Sequence, residues 1–386
     1  MDLSGWMRIQ ATPRPLLVTA RGGGGIRVAA ERVLRQRGWD LASTPAEADL
    51  LVVCGVPDDD ALAAAVERVW SAFPAPRARA SVHVETDVVS ELDRARARLD
   101  DVEWQRSDIA ARTGAAETAR AEEHTGEHDH TGHTTHSTTE PACGHHRSSD
   151  PGGGHSMGDH DMGGHDAHMM HGGDVAGLRM ADRAPDRDGL ALDQLHVSLG
   201  PVLPDWPAGL VVRVALQGDV VQSAEVEVIG EAHPDGSSWV GMPAAAAALD
   251  SMARLLSVCG WGTAMRSARR LRDELLTGAV DDAELGRFVG RLRRSRTLRW
   301  ATDDVGRLDL PHSDLAGDAT QRWRRWLDVV EGREAGHRRG DHAEVALERL
   351  PGLLEGQELA AARVIVASLD PDLDSVLPRD ARDRVR

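Results

Sequence analysis

The chain has 386 residues and a formal net charge of −17 at pH 7. Its length is enough for two or three domains with cores of their own, and its acidity excludes a general affinity for nucleic acids. Its three cysteines, Cys54, Cys143 and Cys259, are widely spaced, which favours a reducing compartment over a disulfide framework.

No targeting or membrane-spanning segment is recognised in the sequence. The first residues lack the basic stretch and the apolar core of a signal peptide. The longest apolar run, around 242–249, is far shorter than the roughly 20 residues that a spanning helix needs. We therefore expect a cytoplasmic protein without a transmembrane segment, and a peripheral position at the inner face of the membrane is left open.

Residues 1–120 are predicted to form an α/β domain. Two short apolar runs have the composition of buried strands, and each is followed by a segment whose apolar residues have helical spacing. This alternation is typical of a parallel sheet covered by helices. Cys54, at the end of the second run, is expected to be a small buried core residue. The strands are predicted at 14–20 and 49–55, and the helices at 26–37 and 61–73.

Two charged stretches are predicted to be helical. Residues 88–112 are expected to pack loosely or to extend away from the domain. The arginine–tryptophan run at 322–326 is interpreted as a helix with a solvated arginine face, and a docking face for an acidic partner is the alternative. His83 is expected to lie in a strand, without a role as a ligand.

Residues 121–188 are rich in histidine, methionine and glycine. Twelve of the 18 histidines lie between 124 and 171, separated by small polar residues that cannot bury a core, so we expect a disordered linker. Neutral imidazole binds divalent transition metals and the methionine thioether suits Cu(I), which makes nickel, copper and zinc the candidate ions. A polar spacer that binds metal only adventitiously is the alternative. The candidate ligands are His124, His128, His130, His133, His136, His145, His146, His155, Met157, His160, Met162, His165, His168 and His171.

Residues 189–386 are predicted to form a mostly helical domain that begins with a β-hairpin. Apolar and polar residues alternate at 210–216, Gly218 and Asp219 form a turn, and a second run follows at 220–229. The predicted fold is therefore an α/β domain with a parallel sheet, a disordered linker, and a β-hairpin followed by a mainly helical domain. The helices are predicted at 244–258, 263–276, 283–296, 320–331, 343–354 and 358–367.

The first domain carries a family resemblance. The run at 46–55 ends in glycine and is followed by a helix and by a Pro-Ala-Pro-Arg motif at 74–77. This order resembles the small iron–sulfur (B) subunit of proton-pumping NADH:quinone oxidoreductase (complex I) and the small subunits of nickel–iron hydrogenases. The resemblance covers about residues 14–85 and implies the parallel-sheet fold of those subunits.

The third segment resembles the partner subunits of the same enzymes. Four short motifs occur in the order found in the D subunit of the oxidoreductase and in hydrogenase large subunits, over about residues 195–375. In those enzymes the two subunits pack against each other, so the resemblance implies that residues 46–77 and 196–371 are neighbours. The motifs are Gly200-Pro201 before the hairpin, Ile229-Gly230 with His233, Gly317-Asp318 with Arg322, and Ser368 with Asp370-Pro371.

The metal ligands that the resemblance implies are missing. Gly22–Gly25 stand about where the B subunit has a tandem cysteine pair, and Cys54 is the only cysteine of the first domain. Asp372 and Ser375 stand where hydrogenases have their last two cysteines, and Leu203 and Pro207 where the D subunit has loop histidines. A [4Fe–4S] cluster and a nickel–iron centre each need four thiolates, so we expect neither.

Three functions remain open from the sequence. The first is a non-catalytic accessory or assembly component of a redox complex, with oxidoreductase or hydrogenase subunits as partners. The second is a storage or delivery protein for nickel, copper or zinc, in which the histidine-rich tract is the working part. The third is an oxidoreductase that still binds quinone or another small molecule in the cleft between the two domains.

Overall fold

A computed structural model describes residues 12–125, 182–185, 191–231, 239–311, 313–336, 342–374 and 376. Residues 1–108 and 181–386 form one compact unit, and residues 109–180 form a second unit, of which only 109–125 are described. We call residues 12–108 the first segment and the described residues from 182 to 376 the third segment. The predicted domain boundaries near 120 and 188 stay predictions.

The first segment contains a parallel sheet, as predicted, and this sheet has three strands. The strands lie in the order β1 (Pro15–Thr19), β2 (Leu50–Cys54) and β3 (Ala78–Val82), with β2 in the centre. All five residues of β2 are buried, which explains its uninterrupted apolar sequence. Cys54 is fully buried and is a core residue, as the sequence analysis predicted.

Helices cover both faces of this sheet. Leu50 and Val52 pack with α1 (Gly24–Gln36) and α3 (Val88–Asp100), whereas Leu51 and Val53 pack with α2 (Asp60–Ser71). The division follows from the two-residue period of a strand, which points alternate side chains to opposite faces. The predicted α/β architecture of the first segment is therefore confirmed.

The expectation that residues 88–112 pack loosely is wrong for α3. Val88, Leu92, Ala95 and Leu99 recur at helical spacing and are buried against the sheet, so the charged residues of this helix occupy only its outer face. Asp101 separates α3 from α4 (Val102–Thr125), and its carboxylate accepts hydrogen bonds from the first backbone amides of α4.

The third segment begins with an antiparallel sheet. The strands lie in the order β4 (Asp182–Pro185), β5 (Ala191–Leu199), β6 (Leu210–Gln217) and β7 (Val220–Val228). The predicted hairpin is the pair β6–β7. The sequence analysis missed β4, which falls within the stretch expected to be disordered, and β5, whose residues pair with β6 from Gln194 to Leu199. Leu195 of β5 is 57% exposed, so this strand, although it lies between β4 and β6, lacks the regular apolar face of a buried one.

Helices form the remainder of the third segment. Those before residue 335 surround Trp323, which is fully buried, and the last two pack on the antiparallel sheet. The helix predicted at 283–296 ends early because Ser295 caps a new helix by accepting a hydrogen bond from Leu298 N at 3.1 Å. None of the helices in the described ranges is both long and apolar enough to span a membrane. The helices are α5 (Ala244–Val258), α6 (Gly262–Thr277), α7 (Asp282–Arg293), α8 (Arg296–Thr302), α9 (Ala319–Val330), α10 (Ala343–Leu354) and α11 (Leu359–Leu369).

Candidate functional site

The first and third segments meet in a shared core. Val66 of α2 and Phe73, which follows it, belong to the same apolar cluster as Val211 and Ile229 at one end of the β6–β7 hairpin. All four side chains are buried. The predicted packing of residues 46–77 against residues 196–371 is therefore confirmed, and we call the surface between the two segments the junction.

A buried group of ion pairs crosses the junction beside this core. Glu31 of α1 accepts from Arg272 Nη1 of α6 at 2.8 Å, and its carboxylate also lies 3.5 Å from Arg269 Nε. Arg27 of α1 reaches Asp250 of α5 with Nη2–Oδ2 at 2.8 Å. These contacts tie the first helix of the first segment to two helices of the third.

Arg272 is the centre of this group. Its side chain is fully buried and binds three carboxylates, those of Glu31, Asp250 and Asp273, at 2.7 to 2.8 Å. Asp273 also pairs with Arg35 of α1. One guanidinium therefore binds carboxylates from both segments. We call the whole group of ion-paired residues the junction network; its members are Arg27, Glu31, Arg35, Asp250, Arg269, Arg272 and Asp273.

The junction network keeps Glu31 ionised despite its burial. Burial by itself raises the pKa of a carboxyl group, but the attraction of Arg269, Arg27 and Arg272 outweighs this effect and lowers the pKa of Glu31 to about 2. The pKa of Arg272 is raised because the three carboxylates outweigh its own burial. Both partners are therefore charged at neutral pH.

The depressed pKa of Glu31 predicts a pH-dependent contribution to stability. The ionised carboxylate stabilises the fold fully above about pH 4.5, its ordinary pKa, and this contribution is lost as the pH falls towards 2. We expect Glu31→Gln to cost roughly 3 kcal/mol at pH 6 and about 2 kcal/mol less at pH 3. Denaturant unfolding of both proteins at the two pH values measures this difference. A cost that does not change with pH would contradict the assignment.

A cavity of about 460 Å³ opens at the junction, next to the network. Arg27, Glu31 and Arg269 line its charged side, and Trp206 with several prolines lines its apolar side. Arg254 of α5 also lines the cavity. Its Nη2 group binds the carboxylates of Asp250 and Asp370. Its Nε atom is buried and has no hydrogen-bond partner among the described residues. The cavity thus combines charged side chains with an apolar wall, as ligand sites commonly do.

The glycine-rich turn after β1 is packed against the chain itself. A side chain at Gly23 would lie 2.2 Å from the carbonyl oxygen of Cys54, so only glycine fits there. The Gly22 amide donates to Asp374 Oδ1 at 2.8 Å, and the Arg21 guanidinium donates to backbone oxygens of Gly230, Leu373 and Val376. The turn is therefore an anchor for the end of the third segment.

The metal ligands predicted from the sequence lie almost entirely beyond the described residues. His124 falls in the last turn of α4, and the ligands from His128 to His171, including Met157 and Met162, lie outside the described ranges. Within those ranges, no group of three or more His, Cys, Asp or Glu side chains is placed to hold a metal ion. His83 follows β3 and is exposed, so its predicted place in the strand is wrong.

The two described cysteines have thiols that resist ionisation. Burial raises the pKa of Cys54 to about 12 and that of Cys259 to about 11. Metal ligation and nucleophilic attack both use the thiolate. In their present surroundings these two side chains are therefore suited to packing.

The sequence analysis missed the junction network and misjudged the arginine–tryptophan run. Arg269 and Arg272 share the buried face of α6 with Ala268 and Leu271, so charged residues at apolar spacing were the available signal. Arg322 is not on a solvated face either. It is buried, donates to the carbonyl oxygens of three residues and to Ser368 Oγ, and burial lowers its pKa to about 10.

The junction must be interpreted from its own residues. Comparisons of the chain with protein-family models, with curated proteins and with solved structures found no match. The features that bear on function are the apolar contact of the two segments, the junction network and the cavity beside it.

Proposed function

We propose that this chain is a non-catalytic accessory or assembly component of a redox complex, with oxidoreductase or hydrogenase subunits as its partners. In this proposal the chain keeps the paired architecture of the subunits that its sequence resembles and lacks their metal chemistry. The observation that carries the proposal is the junction, where two segments of one chain meet through a buried ion-pair network.

The donor set of the described residues does not fit the metal centres that the resemblance implies. A [4Fe–4S] cluster and a nickel–iron centre each take four thiolates. Among the described residues, the only thiol at the glycine-rich turn is that of Cys54, whose raised pKa disfavours the thiolate. Arg21 and Asp374 lie beside the turn. The Arg21 guanidinium donates to the backbone oxygen of Asp374, and the Asp374 carboxylate accepts from the Gly22 amide. No electron-transfer step is therefore assigned to this chain.

The proposal is tested in cells of the source organism. The chain is tagged at its own locus, and membrane and soluble extracts are separated on native gels that are stained for NADH dehydrogenase and hydrogenase activity. We expect the chain to comigrate with an active complex or its assembly intermediate, and we expect deletion of the gene to reduce that band. A chain that migrates alone, in cells whose complexes are unchanged by the deletion, would contradict the proposal.

The cavity favours a second candidate, the binding of quinone or another small molecule. A ring carbonyl could accept a hydrogen bond from a guanidinium group on the charged side of the cavity while the ring lies against Trp206. Titration with a soluble quinone, followed by calorimetry, tests this function. Ser257→Trp, which places a large side chain at the cavity wall, should weaken binding at least about tenfold, or roughly 1.4 kcal/mol. Unchanged affinity in this variant would exclude the cavity as the site.

A further inference from the structure

A cationic surface lies on the outer side of α7 and α8. Residues 285–300 contain six arginines and neither aspartate nor glutamate, within a chain whose net charge is −17. Five of these arginines are exposed, and one tryptophan lies among them. We call this group the arginine face; its members are Arg287, Arg291, Arg294, Arg296, Arg299 and Trp300.

The helical spacing places the arginines of each helix on one side. On α7 and its C-cap, the exposed arginines at 287, 291 and 294 follow one stripe, opposite the buried Phe288 and Leu292. On α8, the exposed residues at 296, 299 and 300 lie opposite the buried Leu298. Phe288, Leu292 and Leu298 belong to the same core cluster, so both exposed stripes point away from one core.

Trp300 is the most exposed large apolar side chain of the described residues. It is 84% exposed, whereas the next, Val240, is 61% exposed. Leu298 is buried and anchors the short helix that carries Trp300. The indole is therefore held out from the surface, on the same side of the helix as Arg296 and Arg299.

Few carboxylates neutralise the arginine face. Asp281 Oδ2 lies 3.8 Å from Arg287 Nη2, and Asp303 Oδ2 lies 3.7 Å from Arg299 Nε. Both pairs are exposed. Exposed pairs of this length contribute little, so both arginines keep most of their attraction for an external anion. Arg293 differs, because it binds Asp328 and Glu331 at 2.6 Å and faces away from the others.

We propose that the arginine face binds the surface of an anionic lipid bilayer. Clusters of four to eight basic residues on amphipathic helices are attracted to such surfaces, and tryptophan is favoured at the boundary between headgroups and acyl chains. A bilayer presents charge of one sign over a wide area, which suits a face with few carboxylates. A folded acidic partner would need a pocket for an indole that projects this far. Nucleic acid is disfavoured because the remainder of the chain is strongly acidic.

Cosedimentation of the full chain with vesicles tests this proposal. The vesicles are pure phosphatidylcholine, or phosphatidylcholine with about one quarter phosphatidylglycerol, at about 0.1 M salt. A pH of about 8 with a chelator keeps the histidines neutral and free of metal. We expect binding to the anionic vesicles alone, and release at about 1 M salt, where charges are screened.

Variants of the face give the second arm of the test. The triple variant Arg287→Gln, Arg296→Gln and Arg299→Gln should lose affinity about a hundredfold, since each arginine near the surface contributes about fivefold. Trp300→Ala should lose roughly tenfold. Arg94→Gln, which removes an arginine that is 68% exposed in the first segment, is the matched control and should change affinity less than about fivefold. All of these side chains are exposed, so thermal unfolding should be unaffected.

Two results would overturn the proposal. The first is equal binding to neutral and anionic vesicles, or equal binding by the triple variant and the control. The second is tighter binding, at the same salt, to single-stranded DNA or to polyglutamate than to the anionic vesicles, which would assign the face to a nucleic acid or to an acidic protein.

Discussion

Replacement of Arg272 by methionine is expected to lower the free energy of unfolding by about 3–5 kcal/mol. The guanidinium is fully buried and binds Glu31, Asp250 and Asp273 at 2.7 to 2.8 Å. Methionine keeps the apolar length of the side chain but leaves three buried carboxylates without their shared cation. Denaturant unfolding at pH 7 measures the loss.

Arg270→Met is the matched control for this prediction. Arg270 lies on the same helix, is 35% exposed, and pairs with Glu274 and Glu284 near the surface. Removing it should cost at most about 1 kcal/mol. Adding Glu31→Gln to Arg272→Met should recover part of the loss, because one uncompensated charge is then removed. Similar costs for the two arginine variants would show that the junction network does not hold the segments together.

Deletion of residues 124–171 is expected to abolish the binding of transition metals. At pH 7.5 most of the twelve histidines should be neutral, since free histidine titrates near about pH 6.5. More than one ion should then bind to each chain, with Cu(II) ahead of Ni(II) and Zn(II). Below about pH 5.5 protons should displace the metal, because each imidazole ligand must first lose its proton. Calorimetric titration at both pH values measures these effects.

The deleted protein should keep its flanking segments folded. The compact unit that contains the junction is built from residues before 109 and after 180, so circular dichroism and thermal unfolding should change little. This control separates loss of ligands from loss of structure. Equal metal uptake by the intact and deleted proteins would show that the tract is only a spacer, and would leave no support for metal storage or delivery.

The sequence predicted those parts of the fold that depend on local patterns. The run Leu50–Cys54 is apolar throughout because both faces of the central strand are covered, and that composition alone indicated a buried parallel strand. The hairpin of β6 and β7 was predicted from its alternation and from the turn at Gly218, which has a φ of 61°. Gly38 ends α1 with a φ of 69°, the left-handed conformation that glycine adopts most readily.

The candidate site was not predictable in the same way, because its members are distant in sequence. Glu31 and Arg272 are 241 residues apart, and the sequence around either residue does not indicate that the other is its partner. A charged residue at an apolar position indicates only that a partner is needed. Which residue becomes the partner depends on how α1 packs against α5 and α6, and this packing is part of the tertiary structure. Arg322 illustrates the same limit, since its acceptors are backbone oxygens that composition does not reveal.

The metal content of an anaerobic preparation tests the central claim most directly. The claim is that the chain pairs two redox-subunit-like segments through ion pairs and without a metal centre. The variant that lacks residues 124–171 is the appropriate sample, because the histidine-rich tract is itself expected to bind metal ions. We predict a colourless protein with neither iron nor nickel in stoichiometric amounts. A brown protein with about four irons per chain, as in [4Fe–4S] proteins, or with one bound nickel, would contradict the account.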